Sequence, residues 1–104
     1  MARVRVLEEA ADEAIEAAAW YEEQRPGLGI VFAQTFHAAL DLLEEEVVPL
    51  SNMPGKAGQE GAKRLILSRF PYDIVVREHR DALIVVAVAH HSRRPGYWRD
   101  RVRT

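Results

Sequence analysis

The residues best suited to chemistry lie near the C-terminus, where Ala89 to Arg101 reads AHHSRRPGYWRDR. Two adjacent histidines, His90 and His91, are candidate general bases because imidazole titrates near neutral pH. The arginines around Tyr97 and Trp98 carry planar donor forks that match phosphates and carboxylates. The segment therefore supplies groups either for acid–base catalysis or for binding an anionic surface.

Strand geometry limits what the histidine pair can do. Adjacent residues of a strand point to opposite faces, so at most one of the pair can share a site with Tyr97. The other is expected to pack or to cap the strand end. His37 and His79 belong to other predicted elements, and no pair of histidines has the spacing of a zinc site. We therefore predict no metal site and no cofactor.

Charge is distributed unevenly along the chain, although the net charge is only -2. Residues 1–62 carry 12 acids and 4 bases, whereas residues 63–104 carry 4 acids and 10 bases. A molecule of this kind can address a polyanion with one surface and repel it with the other. Alternatively, solvated helices favour Glu while strand edges favour Arg, and charge alone leaves the two interpretations equal.

The chain of 104 residues is expected to form one domain spanning 1–104, with a single core. It has no Cys, so packing alone must hold the fold together. The N-terminus lacks the apolar run of a signal peptide, and no stretch reaches the roughly 18–20 apolar residues of a membrane span. A cytoplasmic protein that does not engage a membrane is the expectation.

Hydrophobic periodicity predicts a strand followed by a helical hairpin. The first helix has an apolar stripe of Ala11, Ile15, Ala18 and Trp20–Tyr21, and we expect Trp20 and Tyr21 to pack in the core. The second helix repeats Phe32, Phe36, Leu40, Leu43 and Val47 at helical spacing. The connection contains Pro26 and two glycines, which end the first helix. The predicted elements are a strand at Arg3–Leu7 and helices at Glu8–Gln24 and Gly29–Val47.

The remainder of the chain reads as a mobile loop at Pro49–Ala62 and then as β-structure. Short turns force antiparallel pairing of strands at Lys63–Arg69, Tyr72–Glu78 and Leu83–Ala89. The third strand is apolar on both faces and should be interior. One face can pack on the hairpin, and the other must be covered by the tail or by a partner, or remain an apolar groove. The fold class is α+β, an antiparallel β-sheet on an antiparallel two-helix hairpin, in the order β-α-α-β-β-β with a short C-terminal tail.

Three segments carry a family resemblance. Trp20–Gly29 reads WYEEQRPGLG and is followed by Phe32, Lys63–Tyr72 reads KRLILSRFPY, and Ala87–Arg101 reads AVAHHSRRPGYWRDR. Together they resemble the ParE/RelE toxins of type II toxin–antitoxin systems, often labelled plasmid-stabilisation proteins. The resemblance implies a sheet backed by a two-helix hairpin. It also implies a toxin held inactive in a hetero-oligomer with a cognate antitoxin. The antitoxin would bind the Ala-rich surface of Ala10, Ala14 and Ala17 or a groove on the third strand.

Two activities follow from the resemblance. RelE-like toxins are ribosome-dependent endonucleases that cut messenger RNA, and they use Arg, Lys and Tyr as catalytic groups. Asp73 stands where that branch has an Arg beside the scissile phosphate, which reverses the charge. The matching nuclease set in this sequence is Lys63, Arg64, His91, Arg94 and Tyr97.

ParE-like toxins inhibit DNA gyrase by contact and need no hydrolytic residues, so Asp73 does not count against that branch. The resemblance therefore favours a gyrase inhibitor, with the RelE-like nuclease and a non-toxic, antitoxin-binding member as alternatives. Tyr97 and Trp98 can also fold back on the sheet with the arginines around them, which would be compatible with target binding. The predicted target-binding residues are Arg93, Arg94, Tyr97, Trp98, Arg99 and Arg101.

Overall fold

A two-helix hairpin packs on one face of a five-stranded sheet in the computed structural model, which describes residues 3–46 and 50–101. The predicted α+β class and its two-helix hairpin are confirmed. The sheet order is β1-β5-β4-β3-β2. The elements are β1 (Arg3–Val6), α1 (Glu8–Gln24), α2 (Leu28–Glu45), β2 (Ser51–Asn52), α3 (Gly55–Gln59), β3 (Lys63–Ile66), β4 (Tyr72–His79), β5 (Ala82–His90) and a 3₁₀ turn at Arg99–Arg101.

The sheet is antiparallel from β2 to β5, but β1 pairs with β5 in parallel. The prediction of an antiparallel sheet is therefore wrong for β1. The physical reason is that β1 leads into the whole helical hairpin and not into a tight turn, so nothing forces its direction against the neighbouring strand. β5 lies between β1 and β4, which confirms the interior position predicted from its apolar sequence.

The segment predicted to be a mobile loop, Pro49–Ala62, contains regular secondary structure in its described part. It contains β2 and α3, and the side chains of Met53 and Ala57 are buried. A Cβ on Gly58 would lie only 1.7 Å from the Met53 carbonyl oxygen, so the tight turn requires glycine. The loop prediction is wrong because glycines that serve close packing look the same in sequence as glycines that serve flexibility. Pro49 and Val47 lie outside the described residues.

The core-facing stripe of α1 differs from the predicted one. Ala10, Ala14 and Ala17 are buried against the sheet, whereas Ile15 and Trp20 are 66% and 55% exposed. The predicted core position is thus wrong for Ile15 and Trp20, and the alanines are not an open surface for an antitoxin. Small side chains let the helix lie close to the sheet, a use that hydrophobicity alone does not reveal.

A bulge in β5 shifts the alternation of its side chains between the two faces of the sheet. Val76 pairs with Val85 but Val75 pairs with Ala87, so Val86 is the extra residue. As a result Val85 and Val88 both join the core under the hairpin, with Ile74 and Phe32. The opposite face of the sheet forms a second core with Met53, Ala57 and Trp98, so the tail and α3 cover it. Of the predicted ways to cover this face, the tail is the one observed.

The hairpin depends on a close contact at the start of α2. A Cβ on Gly29 would lie 2.5 Å from the Ala18 carbonyl oxygen and 2.9 Å from the Glu22 Cβ. The Glu22 carboxylate also accepts hydrogen bonds from the Gly27 and Gly29 backbone N–H groups, at 3.0 and 3.1 Å. The two helices therefore meet backbone to backbone at this turn.

We predict that Gly29→Ala destabilises the protein by about 1–3 kcal/mol, because the added methyl group must push the helices apart. The sign is informative, since Ala is intrinsically favoured over Gly inside a helix by roughly 1 kcal/mol. Chemical denaturation measures the free energy of unfolding, with Gln34→Ala at an exposed α2 position as the control. A Gly29→Ala protein as stable as the wild type would refute the close contact.

Candidate functional site at the C-terminal tail

The Glu13 carboxylate on α1 is the centre of the contacts that hold the tail. It accepts hydrogen bonds from the Tyr97 hydroxyl at 2.6 Å and from the Arg101 guanidinium at 2.8 and 3.1 Å. Arg93 Nη1 lies 3.4 Å from the same carboxylate, and its guanidinium stacks 3.7 Å over the Tyr97 ring. We call Glu13, Arg93, Tyr97 and Arg101 the Glu13 cluster.

This cluster lies where β5 continues beyond the end of β1. The last paired residue of β1 is opposite Val85, so the backbone groups of β5 that follow have no neighbouring strand on that side within the described structure. The Val88 N–H donates to Glu13 Oε1 at 3.0 Å, and Arg101 Nη1 donates to the Val86 carbonyl oxygen at 3.2 Å. Buried backbone groups need such partners. A side-chain ion pair therefore completes the strand's hydrogen bonding.

The electrostatics of the cluster favour its charged, hydrogen-bonded form. Burial alone would raise the pKa of Glu13, but the hydrogen bonds from Arg101, Tyr97 and Val88 outweigh it and hold the pKa below the ordinary 4.5. Burial, together with the hydrogen bond to Glu13, raises the pKa of the Tyr97 phenol. The hydrogen bond to Glu13 raises the pKa of Arg101. Tyr97 therefore stays a protonated donor.

A second polar cluster lies on β3, β4 and the end of β5. Asp73 is buried, and its carboxylate contacts His91 Nε2 at 2.9 Å and Arg64 Nη1 at 3.4 Å. These groups line a groove of about 160 Å³ together with Arg94 and Tyr97. The groove thus brings together four of the five predicted nuclease residues.

Lys63 is the nuclease residue that the fold separates from the others. It pairs with Val76, which belongs to the core under the hairpin, whereas Arg64 contacts Asp73 on the opposite face. Neighbouring strand residues alternate between faces, so one phosphate cannot be held by both Lys63 and Arg64 through this groove.

The two histidines diverge as strand geometry predicts. The His90 ring meets the Tyr72 ring edge-on, with centroids 5.0 Å apart, and its Nδ1 accepts the Ser92 N–H at 3.0 Å. His91 instead contacts Asp73. Only His91 therefore shares a charged cluster with Arg64. Among residues 3–46 and 50–101 no group of three His, Asp or Glu side chains is arranged to hold a metal ion.

Most of the predicted target-binding residues make contacts within the protein. Trp98 is only 2% exposed and packs in the second core, so its side chain is not available at the surface. Arg99 forms an ion pair with Glu60, and Arg93 and Arg101 belong to the Glu13 cluster. The side chain of Arg94 is exposed and pairs with no residue in the described ranges. The aromatic residues therefore fold back on the sheet, while most arginines are paired and not simply solvated.

Sequence reasoning missed Glu13 and Glu60, the acids that hold the tail. Glu13 is one of many acids in an acidic helix, and it lies 84 residues from Tyr97. A helical projection would have shown it on the flank beside the buried alanines, but nothing local indicates its partners. Only the packing of α1 on β5 identifies this carboxylate.

Comparison with known proteins supports the fold. No protein-family model matches the sequence, and no curated protein matches it. A chain of a solved structure described as "Chromosomal ParDE TA system from P. aeruginosa" is similar, with a TM-score of 0.73 and 15% sequence identity. The match covers 86% of this chain and 96% of that chain. The fold expected from the ParE/RelE resemblance is thereby confirmed. No helix within the described ranges is long and apolar enough to cross a membrane.

We predict that Glu13→Gln lowers the free energy of unfolding by about 2–4 kcal/mol, because Arg101 loses its charged partner in a partly buried position. Urea denaturation measures the loss. Glu16→Gln, an exposed position one turn further along α1, is the matched control and should change stability by less than about 0.5 kcal/mol. Equal effects of the two substitutions would show that the cluster does not hold the tail.

The same carboxylate should make stability depend on pH. Its folded-state pKa lies below the ordinary 4.5, so its contribution is fully present above that value and is lost as pH falls through the folded-state pKa. We therefore expect the stability gap between wild type and Glu13→Gln to be constant near neutral pH and to shrink in acid. The Glu16→Gln curve provides the baseline, and a gap that widens in acid would contradict the lowered pKa.

Proposed function

We propose that this chain is the toxin of a type II toxin–antitoxin system, acts in the cytoplasm, and is neutralised in a hetero-oligomer with a cognate antitoxin. Three features support the proposal. Its fold matches a chain of a ParDE system over nearly the whole of that chain. The segments Trp20–Gly29, Lys63–Tyr72 and Ala87–Arg101 carry the family resemblance in the same order along the chain. The tail that carries the last of these segments is anchored on the sheet by Trp98.

We further infer that the toxin acts as a ParE-like inhibitor of DNA gyrase, by contact and not by cutting RNA. The observation that carries this inference is the fixed tail, with a cation at its turn that pairs with no residue in the described part of the chain. Arg93 and Arg101 hold the tail to Glu13, while Arg94 and Pro95 between them are exposed. A rigid surface with a displayed guanidinium is suited to recognising a carboxylate or a phosphate on a target.

The nuclease alternative has weaker support from the same geometry. A catalytic Tyr97 would have to release its proton or present its hydroxyl, but that hydroxyl donates to Glu13 and its pKa is raised. Asp73 places a carboxylate in contact with both Arg64 and His91, so the groove's charge is partly neutralised where a phosphate would need it. Three of the four nuclease residues in the groove, Arg64, His91 and Tyr97, are committed to contacts within the protein.

We expect the purified protein to block supercoiling by gyrase or to stabilise its cleaved DNA complex. Arg94→Ala should weaken this inhibition by roughly 10- to 100-fold, the effect of losing one charge-assisted hydrogen bond. The matched control is Arg80→Ala, an exposed arginine in the turn between β4 and β5, which should inhibit like the wild type. Thermal denaturation should confirm that both variants keep the stability of the parent protein.

Parallel assays separate the alternatives. If gyrase is unaffected by excess toxin while toe-printing shows codon-positioned cuts that His91→Ala or Tyr97→Phe abolishes, the protein is a RelE-like nuclease. If expression without antitoxin causes no growth defect, the toxin proposal itself fails and a non-toxic antitoxin-binding member is favoured.

A further inference from the structure

An apolar cleft lies at the opposite end of α1 from its N-terminus, away from any role assigned above. It has a volume of about 500 Å³ and opens between the turn that joins the two long helices and the turn that joins β3 to β4. Its less exposed lining side chains are Tyr21, Leu28, Val31 and Phe70. Trp20, which is 55% exposed and meets the Tyr21 ring edge-on at 5.0 Å, does not line the cleft.

Two arginines complete the lining of the cleft. Arg25 comes from the helical turn and Arg69 from the strand turn, and both are exposed. Neither guanidinium has a carboxylate partner in the described part of the chain, whereas Arg93, Arg99 and Arg101 all do. Among residues 3–46 and 50–101 no acidic side chain lines the cleft, and the Glu22 carboxylate behind it is hydrogen-bonded to the Gly27 backbone. Its charge is therefore complementary to an anionic ligand that also carries an apolar group.

We propose that this cleft binds an acidic segment of a partner protein, with one apolar side chain seated between Tyr21 and Val31 and neighbouring carboxylates held by Arg25 and Arg69. The identification of the partner as the antitoxin rests on the proposed function, whereas the chemistry of the segment rests on the cleft. Arg forks bind carboxylates in a bidentate manner, and an apolar floor beside them gives the segment its anchor.

A single-stranded nucleic acid fits the cleft less well. Bases bind proteins by stacking on open aromatic faces. Tyr21 stacks on Phe32 with ring centroids 5.5 Å apart, and Phe70 meets Tyr21 edge-on at 4.8 Å. Phe70 is itself buried, and the rest of the floor is aliphatic. The cleft therefore offers hydrophobic shape and cations, which suit a peptide.

The test is a display selection of random heptapeptides on the immobilised full-length protein, followed by fluorescence anisotropy with the enriched peptides. We expect these peptides to place an acid beside a large apolar residue. Binding should fall by about tenfold or more with Arg25→Gln and with Arg69→Gly, since each removes one charge-assisted contact. Arg69 has φ of 71°, so glycine removes the guanidinium and relieves the backbone at once.

Arg80→Gly is the matched control, because Arg80 also has a left-handed backbone, with φ of 49°, but lies in the turn between β4 and β5. It should bind the peptides like the wild type, and neither glycine variant should lose thermal stability. Enriched peptides without acids, no enrichment, or equal binding by the Arg69→Gly and Arg80→Gly variants would overturn the proposal. The proposal would also be overturned if a labelled single-stranded oligonucleotide bound in place of the peptides and if Arg69→Gly abolished that binding.

A growth assay distinguishes failure of this proposal from failure of the proposed function. If expression of the wild type arrests growth but no acidic peptide binds the cleft, the cleft proposal fails and the toxin proposal stands. If acidic peptides bind in a way that requires Arg69 but expression leaves growth normal, the toxin proposal fails and the cleft stands as a protein-binding site.

Discussion

One partly buried carboxylate, that of Glu13, determines how the two ends of this protein are joined. β5 is longer than the strand beside it, and its backbone beyond Val85 must find hydrogen-bond partners other than a strand. Glu13 accepts from the strand and from the tail at the same time, and Arg101 donates to Glu13 and to the Val86 carbonyl oxygen of the strand. The tail is therefore bound to the sheet edge by the same groups that complete the sheet. Trp98 then crosses to the other face and closes the second core.

The uneven charge of the chain is explained in part by this arrangement. The acidic half supplies Glu13 and Glu60, and the basic half supplies the arginines that pair with them. Opposite charges that are far apart in sequence thus form ion pairs within the molecule. Composition alone had suggested only interactions with solvent or with a polyanion. Among the cations without a carboxylate partner in the described chain are Arg94 at the tail turn and Arg25 and Arg69 around the apolar cleft, and these are the ones that we propose to recognise other molecules.

Asp73 stands where the RelE-like pattern has an arginine, and its negative charge changes what the neighbouring side chains can do. With an arginine in that place, the groove would concentrate positive charge for a phosphate. With Asp73, the nearby Arg64 and His91 become partners of a buried carboxylate. The same groove then contributes to structure, because a buried carboxylate without such partners would be costly. This is one reason why we propose contact with a target and not hydrolysis.

The sequence by itself determined the local features of the fold. Periodicity and the Pro-Gly turn predicted both long helices to within a few residues, although the buried side of α1 is not the predicted one. Short turns determined the antiparallel order of β3, β4 and β5, and strand alternation separated His90 from His91. Spacing could not reveal the bulge at Val86, since a strand that is apolar on both faces has no alternation to break.

Only the tertiary structure decided which charged residues are partners and which are available. Glu13 resembles every other acid of its helix until α1 packs on β5, and the tail arginines appear equivalent until three of them meet carboxylates. The parallel pairing of β1 and the burial of Ala10, Ala14 and Ala17 are likewise products of long-range packing. The physical reason is common to all of these: hydrogen bonds and ion pairs between distant segments depend on geometry that the order of residues does not encode locally.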